Sequence, residues 1–191
     1  PYPTYWIRPP QTLSREPGHH RFIWDLRYPP PPGAKRELAI AAVLQKTPTA
    51  PAGPFVPPGT YTIRLEVDGA VFEQPLSVRL DPRVTMSPED VRLQTEASLR
   101  CYRGYLKAHL MRERADEEIE EPDVLYGSIQ DVPVEEETAA GLKRKFLYML
   151  KLLQQADARP TVQALAAVDA LEEDLERGVL RDVEQVEDRP L

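Results

Sequence analysis

Several features are scarce or missing in this 191-residue chain. It contains a single cysteine, Cys101, which excludes an internal disulfide and a cysteine-rich metal site, and whose position in a helical pattern predicts a buried thiol. No apolar run approaches the roughly eighteen residues that a membrane-spanning helix needs. Lys and Arg number 24 against 31 Asp and Glu, for a formal net charge of -7. Because phosphate binding needs clustered basic residues, nucleic acid is disfavoured as a partner.

Patterns that carry chemistry are missing as well. There is no phosphate-binding loop, nucleophile elbow, H-E-x-x-H or C-x-x-C. His19 and His20 are adjacent, so on a strand they would point to opposite faces and could not easily chelate one metal ion. The acidic run at 116–123 lacks the spacing of a calcium-binding loop. Asp25 has Arg27 on its strand face and no paired carboxylate, which favours an ion pair or a loop anchor over a general acid.

These absences lead to negative predictions about chemistry. The sequence predicts no catalytic residue, no cofactor and no metal ligand, and it favours a chain that is not itself an enzyme. It leaves enzymatic activity open, because a chain without its own catalytic groups can still complete a site formed elsewhere.

The distribution of proline divides the chain. Of the 21 prolines, 14 lie in the first 60 residues, including the run at 29–32. Such a density is incompatible with helices and predicts strands and extended connections. Beyond Pro88 the apolar residues recur at helical spacing. We therefore predict a β-module over 1–84 and a helical unit with an acidic connection and a flexible tail over 85–191.

Two segments of the proline-rich part alternate apolar and polar residues: GHHRFIWDLRY at 18–28 and GTYTIRLEV at 59–67. Alternation with a period of two is typical of a half-buried strand. We predict a sheet whose core takes residues from both segments and from the strand that follows: Phe22, Trp24, Tyr61, Ile63, Leu65 and Leu76.

A hairpin turn is predicted at Asp68-Gly69. This dipeptide separates the second segment from another alternating run at 71–80, and a type I′ turn needs positive φ at both central positions. Pro75 cannot donate to a ladder, which places its strand at a sheet edge or at a bulge. A short apolar run at 38–44 indicates a further strand.

Three amphipathic helices are predicted in the second part. Ser87 is the N-cap of the first, ahead of a proline and two acidic residues. The second runs over 136–156, and the third begins at the N-cap Thr161 and ends at Gly178 as its C-cap. Three such helices with short connections predict a small antiparallel bundle.

Five stretches of the chain resemble the C-terminal region of large bacterial β-propeller proteins that are labelled sortilin-like, BNR-repeat or glycosyl hydrolase. They read GHHRFIWDLRYPPPPG, TPTAPAGPFVPPGTYTIRLEVDG, QPLSVRLDPRV, LYGSI and QQADARPTVQAL. The resemblance implies an immunoglobulin-like or fibronectin-like sandwich followed by helices, in a secreted or periplasmic protein. In the family, a strand pair and a propeller precede the segment matching Tyr5-Trp6. A glycosidase-type site would lie in that propeller, so no catalytic residue of the family maps onto this chain.

The predicted fold class is therefore α+β by segregation: a partial immunoglobulin-like β-sandwich followed by a three-helix antiparallel bundle. The predicted function is a non-catalytic accessory or assembly module of a larger secreted β-propeller protein. Its partner would be the N-terminal propeller portion of that protein or a partner subunit, with neither nucleic acid nor a membrane span involved.

The aromatic residues near the start are the predicted interaction surface: Tyr2, Tyr5 and Trp6. Aromatic rings ahead of a proline pair are more typical of a contact with a neighbouring domain than of a platform for sugars. A carbohydrate-binding module with a glycan as ligand is the first alternative function. The second is part of a glycosidase-like enzyme whose active site lies in the propeller.

Overall fold

A computed structural model describes residues 7–9, 11–34, 44, 51–114 and 138–187. Within these ranges a β-hairpin is followed by three helices. The elements are β1 (Gly59–Val67), β2 (Ala70–Val78), α1 (Pro88–Arg114), α2 (Ala139–Leu153) and α3 (Val162–Glu187). The strand predicted at 38–44 lies, apart from Leu44, outside the described residues, and so does the acidic run at 116–123.

The hairpin forms where the turn signal predicts it. β1 and β2 pair antiparallel in one unbroken register from Gly59↔Val78 to Val67↔Ala70. Asp68 and Gly69 have φ values of 49° and 80°, as a type I′ turn requires. Pro75 lies opposite Thr62 without a bulge, so the first of its two predicted placements, a strand at a sheet edge, is confirmed.

The predicted sandwich is wrong. In the described ranges the only sheet has two strands, β1 and β2, so the fold is α+β only in a loose sense. The segment 18–28 forms no strand and contributes a single bridge, Arg27↔Phe55. Leu26, at φ 60°, interrupts the extended backbone there, because a left-handed residue turns the chain out of line.

The predicted β-core is wrong as well for half of its members. Phe22 is 56% exposed, Ile63 51% and Leu65 45%. Trp24, Tyr61 and Leu76 are half-buried. The described residues place no second layer over the apolar side of these two strands, and without one the alternation does not produce a core.

The helix starts follow the capping signals. The Asp90 amide donates to Ser87 Oγ over 3.1 Å, and the Ala164 amide donates to Thr161 Oγ1 over the same distance. α2 begins later than predicted because Thr138 is its N-cap, accepting from the Gly141 amide. The predicted C-cap at Gly178 is wrong, since α3 continues through it to Glu187; a single glycine costs a helix only about 1 kcal/mol.

The core lies among the three helices. Its largest side chains are Tyr105 from α1 and Phe146 from α2, each 0% exposed, with Val168 from α3 also at 0%. Gly104 allows the Phe146 ring to approach α1, because a Cβ at that glycine would lie 2.4 Å from Phe146 Cε1. Cys101 is buried in this core, as predicted. No helix in the described ranges is both long enough and apolar enough to cross a membrane.

The proline run packs against the helices instead of forming a free connection. Three side chains of α1 and α2 donate hydrogen bonds to backbone carbonyls between residues 29 and 33. Tyr102 Oη donates to Pro29 O (3.0 Å), Tyr105 Oη to Pro32 O (2.7 Å) and Lys143 Nζ to Gly33 O (3.0 Å). Pro29 and Pro32 have no N–H and their backbone can only accept, so the two tyrosine hydroxyls suit them as donors. This contact joins the proline-rich part of the chain to the helical core.

Candidate interaction surface

One side of the hairpin is almost entirely apolar. The register and the period of two place ten residues on this side: Gly59, Tyr61, Ile63, Leu65, Val67, Ala70, Phe72, Gln74, Leu76 and Val78. We call it the hairpin face. Eight of these ten are apolar or aromatic, and the other two are Gly59 and Gln74. Such a composition is typical of a sheet surface that packs against another layer.

Most of the hairpin face is open to solvent. Ile63 is 51% exposed, Leu65 45%, Val67 47% and Phe72 58%. These four side chains are neighbours. Ile63, Leu65 and Val67 follow one another on the same side of β1, and Phe72 of β2 lies opposite Leu65. A contiguous exposed apolar patch on a folded protein marks a site of interaction.

The end of the hairpin face away from the turn is covered. The Trp24 ring meets the Tyr61 ring edge-on, with centroids 5.7 Å apart. Tyr61 Oη donates to Pro57 O over 2.6 Å, and burial raises the pKa of this phenol above its ordinary value. The open part is therefore held at its base by aromatic packing and a hydrogen bond.

The base is in turn attached to the helices through Arg27. Its guanidinium lies 3.4 Å above the Phe55 ring and donates to Gly53 O (2.8 Å) and to Gln154 Oε1 (3.0 Å). Asp25 Oδ1 accepts from the Arg27 amide at 3.2 Å, which is the second of the two predicted roles, a loop anchor. The hairpin thus has a defined attachment next to the C-terminal end of α2.

The opposite side of the hairpin is mostly polar, and its two apolar residues are Val71 and Pro75. In β1 it carries Thr60, Thr62, Arg64 and Glu66. Arg64 Nη2 lies 3.6 Å from Glu66 Oε2, and the two side chains are 61% and 63% exposed. An ion pair with this exposure contributes little to stability. The contrast between the two sides shows that the hairpin face is the one suited to burial.

A cleft of about 540 Å³ lies between the base of the hairpin and α1. Its lining is mainly apolar and includes Pro57, Leu80, Met86, Val91 and Leu99. The charged lining residues all come from α1: Arg92, Glu96 and Arg103. Arg92 pairs with Glu89 at 2.7 Å and with Glu96 at 2.9 Å. Apolar groups could enter this cleft, but Arg92 and Glu96 pair with each other along α1 rather than forming a catalytic arrangement.

The residues singled out in the sequence do not assemble into a chemical site. Tyr2, Tyr5 and Trp6 lie outside the described residues. His19 and His20 are exposed, and His20 Nε2 bonds Glu16 O at 2.6 Å. Among the described residues no three His, Cys, Asp or Glu side chains are close enough together to hold a metal ion.

The His109 side chain in α1 is largely enclosed by its neighbours. It stacks on Tyr105, with centroids 6.2 Å apart, and its side chain is only 16% exposed, with Nε2 3.5 Å from Glu113 Oε1. It also lies against Gly33, where a Cβ would come within 2.8 Å of the imidazole. The helical spacing of Tyr105 and His109, four residues apart, was the signal that could have indicated this stacking.

Comparison of the chain with protein-family models, with curated proteins and with solved structures found no match. The sandwich that the resemblance to β-propeller proteins implies is contradicted by the structure; its other implied features stay predictions. The hairpin face, with its exposed apolar side chains and its attached base, is the described feature that bears most directly on function.

Proposed function

We propose that this chain is a non-catalytic assembly module of a larger secreted β-propeller protein, and that the hairpin face contacts the rest of that protein or a partner subunit. The observation that carries the proposal is the exposure of Ile63, Leu65, Val67 and Phe72, each close to half open on one side of a two-stranded sheet.

The free energy available from covering the hairpin face is substantial. Fully burying a Val, Leu, Ile or Phe side chain stabilises by about 1.5–3 kcal/mol. Four side chains that are each about half exposed would therefore contribute roughly 3–6 kcal/mol when covered. Association itself costs several kcal/mol in lost freedom, so the partner needs to contact more than these four residues.

The attachment of the hairpin supports the same interpretation. A surface that is ordered before it binds loses less entropy on binding. The type I′ turn fixes the register, Trp24 and Tyr61 fix the base, and Arg27 connects that base to Gln154. The hairpin is thus presented as a defined element of the fold rather than as a free loop.

The carbohydrate alternative receives less support from this surface. Sugar recognition combines exposed aromatic rings with hydrogen-bonding groups around them. Phe72 is the one aromatic ring in the open part of the hairpin face, and Gln74 is its only amide. The Tyr61 hydroxyl is already bonded to Pro57 O. An aliphatic surface of this kind suits a protein partner better than a glycan.

The proposal is tested with a charged substitution on each side of β1. A tagged chain is expressed in the cells that produce it naturally, as wild type, as Leu65→Lys and as the control Thr62→Lys, which adds the same charge to the polar side. Tagged material is separated by size, and co-purified polypeptides are identified by mass spectrometry. Circular dichroism of each purified variant verifies that it is folded.

Wild type and Thr62→Lys are expected to co-purify with the rest of the propeller protein or a partner subunit, and Leu65→Lys is expected to lose it. Hydroxyl-radical footprinting should find Phe72 protected in the complex and reactive in the isolated chain. Recovery of all three chains without another polypeptide, or retention of the partner by folded Leu65→Lys, would contradict the proposal.

A further inference from the structure

The two outer edges of the hairpin differ in their hydrogen-bonding groups. A two-residue type I′ turn closes on a hydrogen-bonded pair, here Val67↔Ala70, and hydrogen-bonded and non-hydrogen-bonded pairs then alternate along an antiparallel ladder. Two later pairs of the unbroken register, Arg64↔Glu73 and Thr62↔Pro75, are consequently non-hydrogen-bonded. In such pairs the backbone N–H and C=O groups point outward, away from the other strand.

Pro75 makes the β2 edge unfavourable for pairing with another strand. Pro75 is at an outward-pointing position of β2, where it offers no N–H and its ring obstructs an approaching strand. The equivalent positions of β1 all carry an N–H: Thr60, Thr62, Arg64 and Glu66. All four of these residues are exposed, and within the described ranges no other segment makes a backbone hydrogen bond to them. β1 therefore presents an open sheet edge, of the kind that pairs readily with another strand.

The charges on this edge are self-complementary. If two β1 strands lie antiparallel about a two-fold axis at Leu65, Arg64 of each copy is opposite Glu66 of the other. Both residues have outward-pointing backbone groups, so each of these two pairs can exchange two hydrogen bonds. The Arg64 and Glu66 side chains are 61% and 63% exposed, so both can reach across to the second copy.

The same register continues the hairpin face. Leu65 lies beside Leu65 of the second copy, and Ile63 lies beside its Val67, all on the apolar side. The two hairpins become one sheet of four strands, which is more stable than an isolated two-stranded hairpin. A two-fold dimer is also the commonest closed assembly of identical chains.

From the open edge and its charges we infer that β1 pairs with β1 of a second copy of this chain, in the register that places Arg64 opposite Glu66. The inference rests on the proposed function, because the joined hairpin faces form the surface that the larger protein would cover. A strand from a different polypeptide is the competing occupant of the same edge.

The first test uses proline on each edge. Arg64→Pro removes an outward-pointing N–H from β1. The matched control is Glu73→Pro, at the residue opposite Arg64. It removes an outward-pointing N–H from the β2 edge, where Pro75 already lacks one. Sedimentation velocity of the full chain, from micromolar to millimolar concentration, should find a concentration-dependent dimer for wild type and Glu73→Pro. Arg64→Pro should remain monomeric.

The second test uses charge exchange, which keeps the strand residues able to pair. Arg64→Glu should weaken the dimer roughly tenfold, because it places two carboxylates opposite each other at both pairs. Adding Glu66→Arg to that variant restores opposite charges and should recover most of the wild-type dissociation constant. This recovery is specific to the proposed register.

Amide hydrogen exchange measured by NMR decides between occupants. As concentration rises, the Arg64 and Glu66 amides should gain protection, whereas those of Val71 and Glu73 should not. A monomer at every concentration, or a dimer in which Arg64 and Glu66 stay unprotected, overturns the inference. So does protection of these amides by a strand of another polypeptide in the natural complex.

The two proposals fail in different ways. If the chain is always monomeric but Leu65→Lys still loses the larger protein, the second-copy inference is wrong and the proposed function stands. If the chain dimerises through β1 but co-purifies with no other polypeptide, the proposed function is wrong and the dimer stands.

Discussion

The helices and the hairpin both carry regular apolar patterns, yet they bury them to very different extents. Tyr105 and Phe146 are 0% exposed in the helical core, whereas Ile63 and Phe72 are 51% and 58% exposed in the hairpin. The three helices cover one another, because the apolar face of each helix packs against the other two. The hairpin is a single layer, and the described residues cover it only at the end where Trp24 packs on Tyr61. An apolar pattern thus identifies the side that can be buried, but not whether it is buried.

The largest expected difference between the two regions is in thiol reactivity. Cys101 is 0% exposed, and burial raises the pKa of its thiol to about 12 from 9.0. This shift lowers the fraction of reactive thiolate at neutral pH about 1,000-fold, and the burial of the sulfur also blocks the reagent. We expect Cys101 to react with an aromatic disulfide reagent at least ~1,000 times more slowly than a cysteine placed in the hairpin.

The comparison protein for this measurement is the double variant Val67→Cys/Cys101→Ala, since Val67 is 47% exposed. Labelling is followed by absorbance at neutral pH, and again in denaturant, where the two rates should converge. Similar labelling rates for the two folded proteins would contradict this expectation, because they would mean that the helical core opens fast enough to expose Cys101.

The next largest effect is expected from truncating one phenylalanine in each region. Phe146→Ala removes a ring that is 0% exposed and should lower the free energy of unfolding by about 3–5 kcal/mol. Phe72→Ala, at a ring that is 58% exposed, should lower it by less than about 1 kcal/mol. Urea denaturation followed by far-UV circular dichroism measures both. Equal losses would remove the distinction between a closed core and an open hairpin face.

The smallest expected change in stability comes from replacing either of two glycines in the helices by alanine. Gly104→Ala would place a Cβ 2.4 Å from Phe146 Cε1; overpacking costs about 1–3 kcal/mol and outweighs the helix-propensity gain of about 1 kcal/mol. Gly178→Ala meets Met111 Cε at 3.6 Å and Leu142 Cδ1 at 3.8 Å, which is ordinary contact. It should therefore stabilise by about 0.5–1 kcal/mol.

Thermal unfolding of the two alanine variants gives the comparison directly, with the midpoint expected to fall for Gly104→Ala and to rise for Gly178→Ala. A higher midpoint for Gly104→Ala would mean that the Phe146 ring can move aside, and that α1 and α2 are less closely packed than the structure indicates.

Much of the secondary structure could be predicted because its signals are local. Asp68-Gly69 specifies the hairpin turn, and Ser87 and Thr161 specify two helix starts. The segment 18–28 failed for the opposite reason. Its alternation resembles that of β1, but a strand exists only where another strand pairs with it, and Leu26 turns the chain out of that pairing. Pairing across many residues cannot be read from the spacing within one segment.

The candidate surface was predicted in part. The alternation placed Tyr61, Ile63, Leu65 and Val67 on one side of a strand, and the register confirms this. The sequence then placed Ile63 and Leu65 in a core, which is wrong. The prediction that Tyr2, Tyr5 and Trp6 form the interaction surface is untested, because these residues lie outside the described ranges.

What the sequence determined by itself was the set of features that a few neighbouring residues decide: the positive φ values at the turn, the caps of α1 and α3, and the apolar side of each element. Backbone sterics and short-range hydrogen bonds suffice for these. Only the tertiary structure decided that Phe146 packs on Gly104, that Tyr102 and Tyr105 bind the proline carbonyls, and that the hairpin face stays open. Those outcomes depend on which distant segments meet, because burial belongs to the pair of surfaces in contact and not to either one alone.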